Sequence, residues 1–216
     1  MNGPDPLKPR PLRGAELLAA MGPSGSGGRI VPFASVLADL HNWMEAHSVS
    51  YCVIGGVASA RFGSARTTGD IDVLVSPRDW RHRDSRHCES DMVFETGQDW
   101  MRHVPSGTPV DVLFAHDDWE LPFLLPAAAE VREWDDALGC WFMQPRCLLL
   151  LKAAVYQSKL EEFGRATAAK DLADVYSLLS ADRSLCTVAD DEAAAYPTLA
   201  GLIEEVCQEL PARPPQ

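Results

Sequence analysis

The stretch that decides the fold is Tyr51-Cys-Val-Ile-Gly-Gly-Val-Ala-Ser-Ala-Arg-Phe-Gly-Ser-Ala-Arg-Thr-Thr-Gly-Asp-Ile-Asp-Val-Leu-Val75. It begins with a short apolar run, breaks at Gly55 and Gly56, and ends in a second run where Asp70 and Asp72 alternate with apolar residues. This pattern predicts a strand, a short helix that begins at the glycines, and a second strand. Residues two apart on a strand project from the same face, so Asp70 and Asp72 are expected to point together.

This stretch also predicts a chemistry. Two neighbouring carboxylates repel each other unless a cation lies between them, and carboxylate oxygens suit a hard divalent ion whose coordination a phosphate completes. Glycines at a strand-to-helix turn let backbone N–H groups approach a phosphate that a Cβ would obstruct, and a helix start favours negative charge. The alternatives are structural: Gly55 and Gly56 only make a tight turn, and Asp70 only ends the turn after Gly69.

Composition bounds the class of protein. The chain has 216 residues, of which 46% are hydrophobic and 23% charged, as in an ordinary soluble domain. No apolar run is long enough to cross a bilayer, prolines break the first stretch where a signal core would lie, and we expect a cytoplasmic protein without a membrane partner. The net charge of −12 argues against a broad nucleic-acid-binding surface. Six scattered cysteines without a C-x-x-C pair predict free thiols in a reducing compartment.

The chain divides into three predicted parts. Residues 1–30 are rich in Pro and Gly and predict a flexible tail, residues 31–144 a mixed α/β core, and residues 145–210 a helical segment. Strands are predicted at Tyr51–Ile54, Ile71–Val75, 91–95, 99–104, 109–115, 130–134 and 140–144. Helices are predicted from Pro32, over 57–62, from Pro77, from Pro145 through 155, over 168–179, and over 192–210 with a restart at Pro197.

Several single residues carry open interpretations. Asp111 lies among strand formers, where it either faces the site or lies on an exposed edge. Arg66 either holds a triphosphate oxygen or pairs with a carboxylate. Lys152 lies in an apolar helix, so its ammonium group must reach the surface or meet a charge. Lys170 and Asp174 are spaced to form a pair on one helix face. Core packing explains most of the six tryptophans, although one is a candidate for stacking on a nucleobase.

The order of these motifs resembles the nucleotidyltransferase superfamily with the polymerase-β-like fold. The small bacterial branch that includes the AbiEii-type toxins is the most similar. The shared elements are Gly55-Gly56, Asp70-Ile71-Asp72, Asp111 on a later strand, Arg66-Thr67-Thr68 before the acid pair, and Lys170-Asp171-Leu172-Ala173-Asp174. The resemblance spans residues 33 to 180 and departs from the family in having Gly56 where serine is frequent, which leaves only backbone donors for a phosphate.

The resemblance implies an α/β (α+β) fold: a mixed sheet flanked by helices, followed by C-terminal helices. It implies two Mg²⁺ ions, with Mn²⁺ as an alternative, held by Asp70, Asp72 and Asp111 as the catalytic and metal-binding acids. It further implies that Gly55, Gly56, Arg66 and Lys170 bind the nucleotide.

The implied activity is transfer of a nucleoside monophosphate from NTP to an acceptor hydroxyl or phosphate. The implied acceptor is a tRNA, a protein or a small hydroxylated molecule, and the acidic chain favours the latter two over long RNA. A cognate toxin or antitoxin partner would accompany a role in defence. The alternative is a non-catalytic nucleotide-binding or antitoxin-like module that keeps the same fold.

Overall fold

The computed structural model describes residues 33–63, 68–83, 93–114, 128, 130–191, 193–194 and 196–211. The tail predicted over residues 1–30 and the candidate Arg66 lie outside this part of the chain. The strands are β1 (Tyr51–Ile54), β2 (Ile71–Val75), β3 (Phe94–Thr96), β4 (Trp100–His103), β5 (Pro109–Phe114), β6 (Arg132–Asp135) and β7 (Cys140–Met143). The α-helices are α1 (Phe33–Ala46), α2 (Gly55–Arg61), α3 (Pro77–Arg81), α4 (Pro145–Phe163), α5 (Arg165–Ala181) and α6 (Pro197–Glu209).

The strands form one mixed sheet of seven strands, in the order β3-β4-β5-β2-β1-β7-β6. Strand β2 pairs with β5 and β1 with β7 in parallel, whereas the other neighbours are antiparallel. The antiparallel pairs β3–β4, β4–β5 and β6–β7 are joined by short connections, as such pairs permit. The predicted fold class, a mixed sheet with flanking helices followed by C-terminal helices, is confirmed.

The core joins the sheet to the C-terminal helices. Helix α2 packs on β1 and β2 on one side and on α4 and α5 on the other. The leucine run of α4, Leu148 to Leu151, is buried, and so are the apolar residues of β1 and β2. Helix α2 therefore fixes the position of the glycine turn against both the sheet and the helical segment.

The observed elements differ from the predicted ones mainly in the second half. Helices α4 and α5 each extend several residues beyond their predicted bounds, and they meet at Gly164, whose φ of 80° lies in the left-handed region that glycine tolerates. A 3₁₀ helix at Arg183–Ala189 was not predicted. Helix α6 begins at Pro197, the predicted restart, because proline suits the first turn of a helix.

The prediction that the cysteines are free thiols is wrong for two of them. Cys186 on the 3₁₀ helix and Cys207 on α6 form a disulfide, because these two elements pack together and bring the Cα atoms to 6.1 Å. Within the described residues Cys52, Cys140 and Cys147 form no disulfide, and Cys88 lies outside this part of the chain. Among the helices described, none combines the length and apolar character that crossing a membrane requires.

Candidate functional site

Two of the predicted acids lie side by side on the sheet. Asp72 on β2 and Asp111 on β5 are direct partners in the parallel pairing of these strands. Partners in register project from the same face of a sheet, so both carboxylates lie on one face. The side chain of Asp72 is half-buried, while Asp111 is exposed. Strand β5 lies between β4 and β2, so Asp111 is exposed but not on an edge strand, and its role in the site stays a prediction.

The glycine turn is shaped around Asp72. Gly55 follows β1 and has a φ of 65°, and a Cβ at this position would lie 1.8 Å from Oδ2 of Asp72. The backbone N–H of Gly56 donates a hydrogen bond to the Asp72 carboxylate. The hydroxyl of Ser59 donates to the Gly55 carbonyl oxygen at 2.9 Å and holds the turn from within the helix. Gly55 is therefore required by the close approach of a carboxylate from the neighbouring strand as well as by its own backbone conformation.

Asp70 lies just before β2 and is held by Thr68, the last residue of the Arg66-Thr67-Thr68 element that precedes the acid pair in the sequence. The Thr68 hydroxyl donates a short hydrogen bond to Oδ1 of Asp70 and lies 3.4 Å from the Asp70 carbonyl oxygen. A threonine two residues before an aspartate is typical of turns in which a side-chain hydroxyl bonds to a neighbouring residue, and this spacing can be read from the sequence. Thr68 thus orients the first acid of the pair.

The electrostatics of Asp72 reflect this arrangement. Burial is the main reason that the pKa of Asp72 is raised, and the negative charges of Asp70 and Asp111 raise it further. The charge of Lys152 and the hydrogen bond from the Gly56 N–H oppose the rise without cancelling it. The charges of Asp70 and Asp111 therefore both act on Asp72, and a positive charge close to Asp72 would relieve this unfavourable interaction.

Lys152 is buried, with 6% of its surface exposed, and it meets charges instead of reaching the solvent. Its Nζ lies 2.8 Å from Asp174 Oδ2 and 3.3 Å from Asp171 Oδ1 on the neighbouring helix α5. Lys159 also binds Asp171, at 2.7 Å. Burial acts to raise the pKa of Asp171, but its bonds to the two lysines outweigh this effect and the net shift is downward. The pair expected between Lys170 and Asp174 is wrong, because Asp174 is fully buried and points at Lys152.

The remaining nucleotide-binding candidates are not joined to the acids by any contact in the described residues. Lys170 lies on α5 with its side chain exposed, and no hydrogen bond or ion pair within the described part of the chain ties it to Asp70, Asp72 or Asp111. The roles of Lys170 and Arg66 in binding a nucleotide stay predictions.

Asp70, Asp72 and Asp111 can supply some, but not all, of the ligands of a hard cation. Carboxylate oxygens are donors that Mg²⁺ prefers, and those of Asp72 and Asp111 lie on one face of the sheet. Within the residues described, no group of three or more acidic, His or Cys side chains is arranged to hold a metal unaided. Mg²⁺ commonly takes only one or two carboxylates and draws its other ligands from substrate phosphates and water. The residues therefore fit an ion that arrives with a phosphate-bearing substrate.

Comparisons with known proteins add little. No family model matches the sequence, and no curated protein does so. Among solved structures, the chain is similar to an antigenic nucleotidyltransferase-like protein from Paracoccidioides brasiliensis, with 16% identity, a TM-score of 0.46, and coverage of 79% of this chain and 91% of that chain. A similarity at this identity and TM-score does not indicate a function, and the function is inferred from the residues of the site.

Proposed function

We propose that the protein is a Mg²⁺-dependent nucleotidyltransferase that moves a nucleoside monophosphate from NTP to an acceptor hydroxyl or phosphate. The single observation that carries the proposal is the register of β2 with β5, which sets Asp111 beside Asp72 on one face, two residues from Asp70. Acidic residues on and just before two neighbouring strands, beside a glycine turn, have a chemical use in phosphoryl transfer, where a divalent ion neutralises the charge of the phosphates.

In this proposal Asp70 and Asp72 would hold the ion that binds the triphosphate, and Asp111 would complete a second ion site at the acceptor. Ions bound there would supply the positive charge that offsets the negative charge of the phosphates. The acceptor oxygen forms a bond to the α-phosphorus, and its proton passes to Asp111. The bond from the α-phosphorus to the bridging oxygen breaks, and pyrophosphate leaves with the electron pair.

The other residues position these groups. Gly55 and Gly56 keep Asp72 in place and stay candidates for contact with the nucleotide, while Thr68 orients Asp70. Lys152 brings a positive charge from α4 toward Asp72, which favours the ionised carboxylate that a cation needs. Arg66 and Lys170 remain candidates for the triphosphate.

The experiment that tests the proposal measures pyrophosphate release and label transfer from α-³²P-labelled NTPs with Mg²⁺. Separate pools of tRNA, protein and small hydroxylated compounds serve as acceptors. We expect Asp72→Ala to abolish turnover and Asp111→Asn to lower it at least about 100-fold, the scale of a lost acid–base group. Asp136→Asn is the matched control, because Asp136 is an exposed carboxylate in the β6–β7 turn at the other end of the sheet.

Two results would count against the enzyme. If wild-type protein binds Mg²⁺·NTP but releases no pyrophosphate with any pool, the alternative of a non-catalytic binding module gains. If the protein binds no NTP at millimolar concentration in the presence of Mg²⁺, the nucleotide site itself is wrong. A role in a toxin–antitoxin or defence pair is a further proposal, which an inhibitory protein partner encoded beside this chain would support.

A further inference from the structure

An exposed tryptophan lies directly beside the third acid. Trp100 on β4 is the direct partner of Asp111 in the antiparallel pairing of β4 with β5. Opposed residues of such a pair share one face, so the indole of Trp100, the carboxylate of Asp111 and that of Asp72 follow one another across the sheet. Trp100 is 45% exposed, so a large aromatic surface is accessible on the strand next to Asp111.

The turn before β4 has room for the indole because it carries a glycine. A Cβ on Gly97 would lie 2.2 Å from Nε1 and 2.5 Å from Cε2 of Trp100. The Gly97 N–H also donates to the Trp100 carbonyl oxygen at 2.8 Å, which fixes the two residues together. The indole thus lies against the turn at Gly97, while 45% of Trp100 stays exposed.

A positively charged residue, Arg102, lies on the same face of the sheet as Trp100. Arg102 lies two residues beyond Trp100, about 7 Å along the strand, and its side chain is exposed. Its cross-strand partners are Glu95 and Pro109, yet Arg102 forms no ion pair with any residue that the structure describes. A guanidinium group in this position is available to bind an anionic oxygen of a ligand.

We propose that Trp100 and Arg102 form the acceptor subsite: the acceptor stacks a planar ring on Trp100 and places a phosphate against Arg102, with its hydroxyl toward Asp111. This inference rests on the proposed transferase function and deepens it, because it assigns the acceptor side of the site to β4. The occupant is a nucleotide unit, since a flat ring beside a phosphate matches an aromatic surface beside an arginine. A cationic acceptor such as an aminoglycoside would meet Arg102 with the wrong charge.

The test separates donor binding from acceptor binding. First, the affinity for a non-hydrolysable ATP analogue with Mg²⁺ is measured by calorimetry for wild type and for Trp100→Ala, and we expect equal values. Then, with the donor site saturated by that analogue, AMP and a short single-stranded RNA are titrated as acceptor probes, which distinguishes a free nucleotide from the end of a polynucleotide. We expect Trp100→Ala to weaken binding of the tighter probe at least about fivefold, from the usual worth of one stacked base.

Three further variants define the roles. Trp100→Phe keeps an aromatic face and should restore most of the affinity. Arg102→Ala should weaken AMP but leave adenosine unchanged. Trp134→Ala is the matched control, since Trp134 is an exposed tryptophan on the strand at the far edge of the same sheet.

The outcomes separate the two proposals. If the ATP analogue binds but Trp100→Ala and Trp134→Ala bind the probes as wild type does, the acceptor subsite is refuted and the proposed function stands. Absence of AMP and RNA binding by wild type with the donor site filled refutes the subsite as well. If the ATP analogue itself does not bind, the transferase function fails and the subsite fails with it.

Discussion

The substitution Gly55→Ala tests the construction of the site most sharply. An alanine at this φ of 65° costs about 1–2 kcal/mol for the left-handed backbone alone. Its Cβ would lie 1.8 Å from Oδ2 and 2.8 Å from Cβ of Asp72. Turning the Asp72 carboxylate away does not clear the second contact, so β1 and β2 must shift, which adds about 1–3 kcal/mol of overpacking. We expect a total loss of about 2–5 kcal/mol, together with loss of Mg²⁺·NTP binding because Asp72 is displaced.

The matched control is Gly139→Ala in the β6–β7 turn. Gly139 has a φ of 61°, and a Cβ there would meet no atom within 4 Å, so only the backbone cost of about 1–2 kcal/mol applies. Urea denaturation of both variants measures the two losses, and calorimetry with a non-hydrolysable NTP measures binding. Equal losses of stability, with nucleotide binding kept in Gly55→Ala, would refute the claim that the turn is shaped by Asp72.

Three further predictions concern stability. Folding raises the pKa of Asp72 above 3.8, so ionisation of this carboxyl destabilises the folded state once the pH rises above that value. In EDTA, Asp72→Asn should therefore raise the melting temperature at pH 7, by about 2–4 °C for each kcal/mol relieved. At pH 3, where Asp72 is protonated, the same substitution should not raise it. Lys152→Met should cost about 3–5 kcal/mol in urea denaturation, because it removes the buried ammonium group that pairs with Asp174 and Asp171; a loss below about 1 kcal/mol would contradict the buried ion pair. Cys186→Ser should cost about 3 kcal/mol, since the disulfide with Cys207 closes a loop of 21 residues, and an unchanged midpoint under oxidising conditions would show that the bond does not form.

Local patterns predicted the elements of the site well. The strands Tyr51–Ile54 and Ile71–Val75 were predicted with their observed bounds, because apolar runs ended by glycine or proline mark strand ends unambiguously here. The short helix between them began at the glycines as expected, two residues earlier than predicted. Helix α1 followed from its apolar spacing.

Contacts between segments that are distant in the chain could not be predicted from local sequence patterns. Asp111 and Asp72 are 39 residues apart in the chain, and their alignment depends on the register of two strands, which no local pattern fixes. The buried ion pairs of Lys152 depend on the packing of α4 on α5, and the disulfide on the packing of the 3₁₀ helix on α6. The sequence predicted that Gly55 makes a tight turn, but not that a Cβ is excluded there, since the carboxylate that excludes it comes from a different strand.

The central claim is that Asp70, Asp72 and Asp111 jointly bind divalent ions when a nucleotide is present. The most direct measurement is a titration of Mn²⁺, a spectroscopic substitute for Mg²⁺, followed by electron paramagnetic resonance with and without a non-hydrolysable NTP. We expect two tightly bound ions per chain in the ternary complex, one in Asp111→Asn, and none beyond those on free nucleotide in Asp72→Asn. Equal Mn²⁺ binding by wild type, Asp111→Asn and Asp72→Asn would contradict the account.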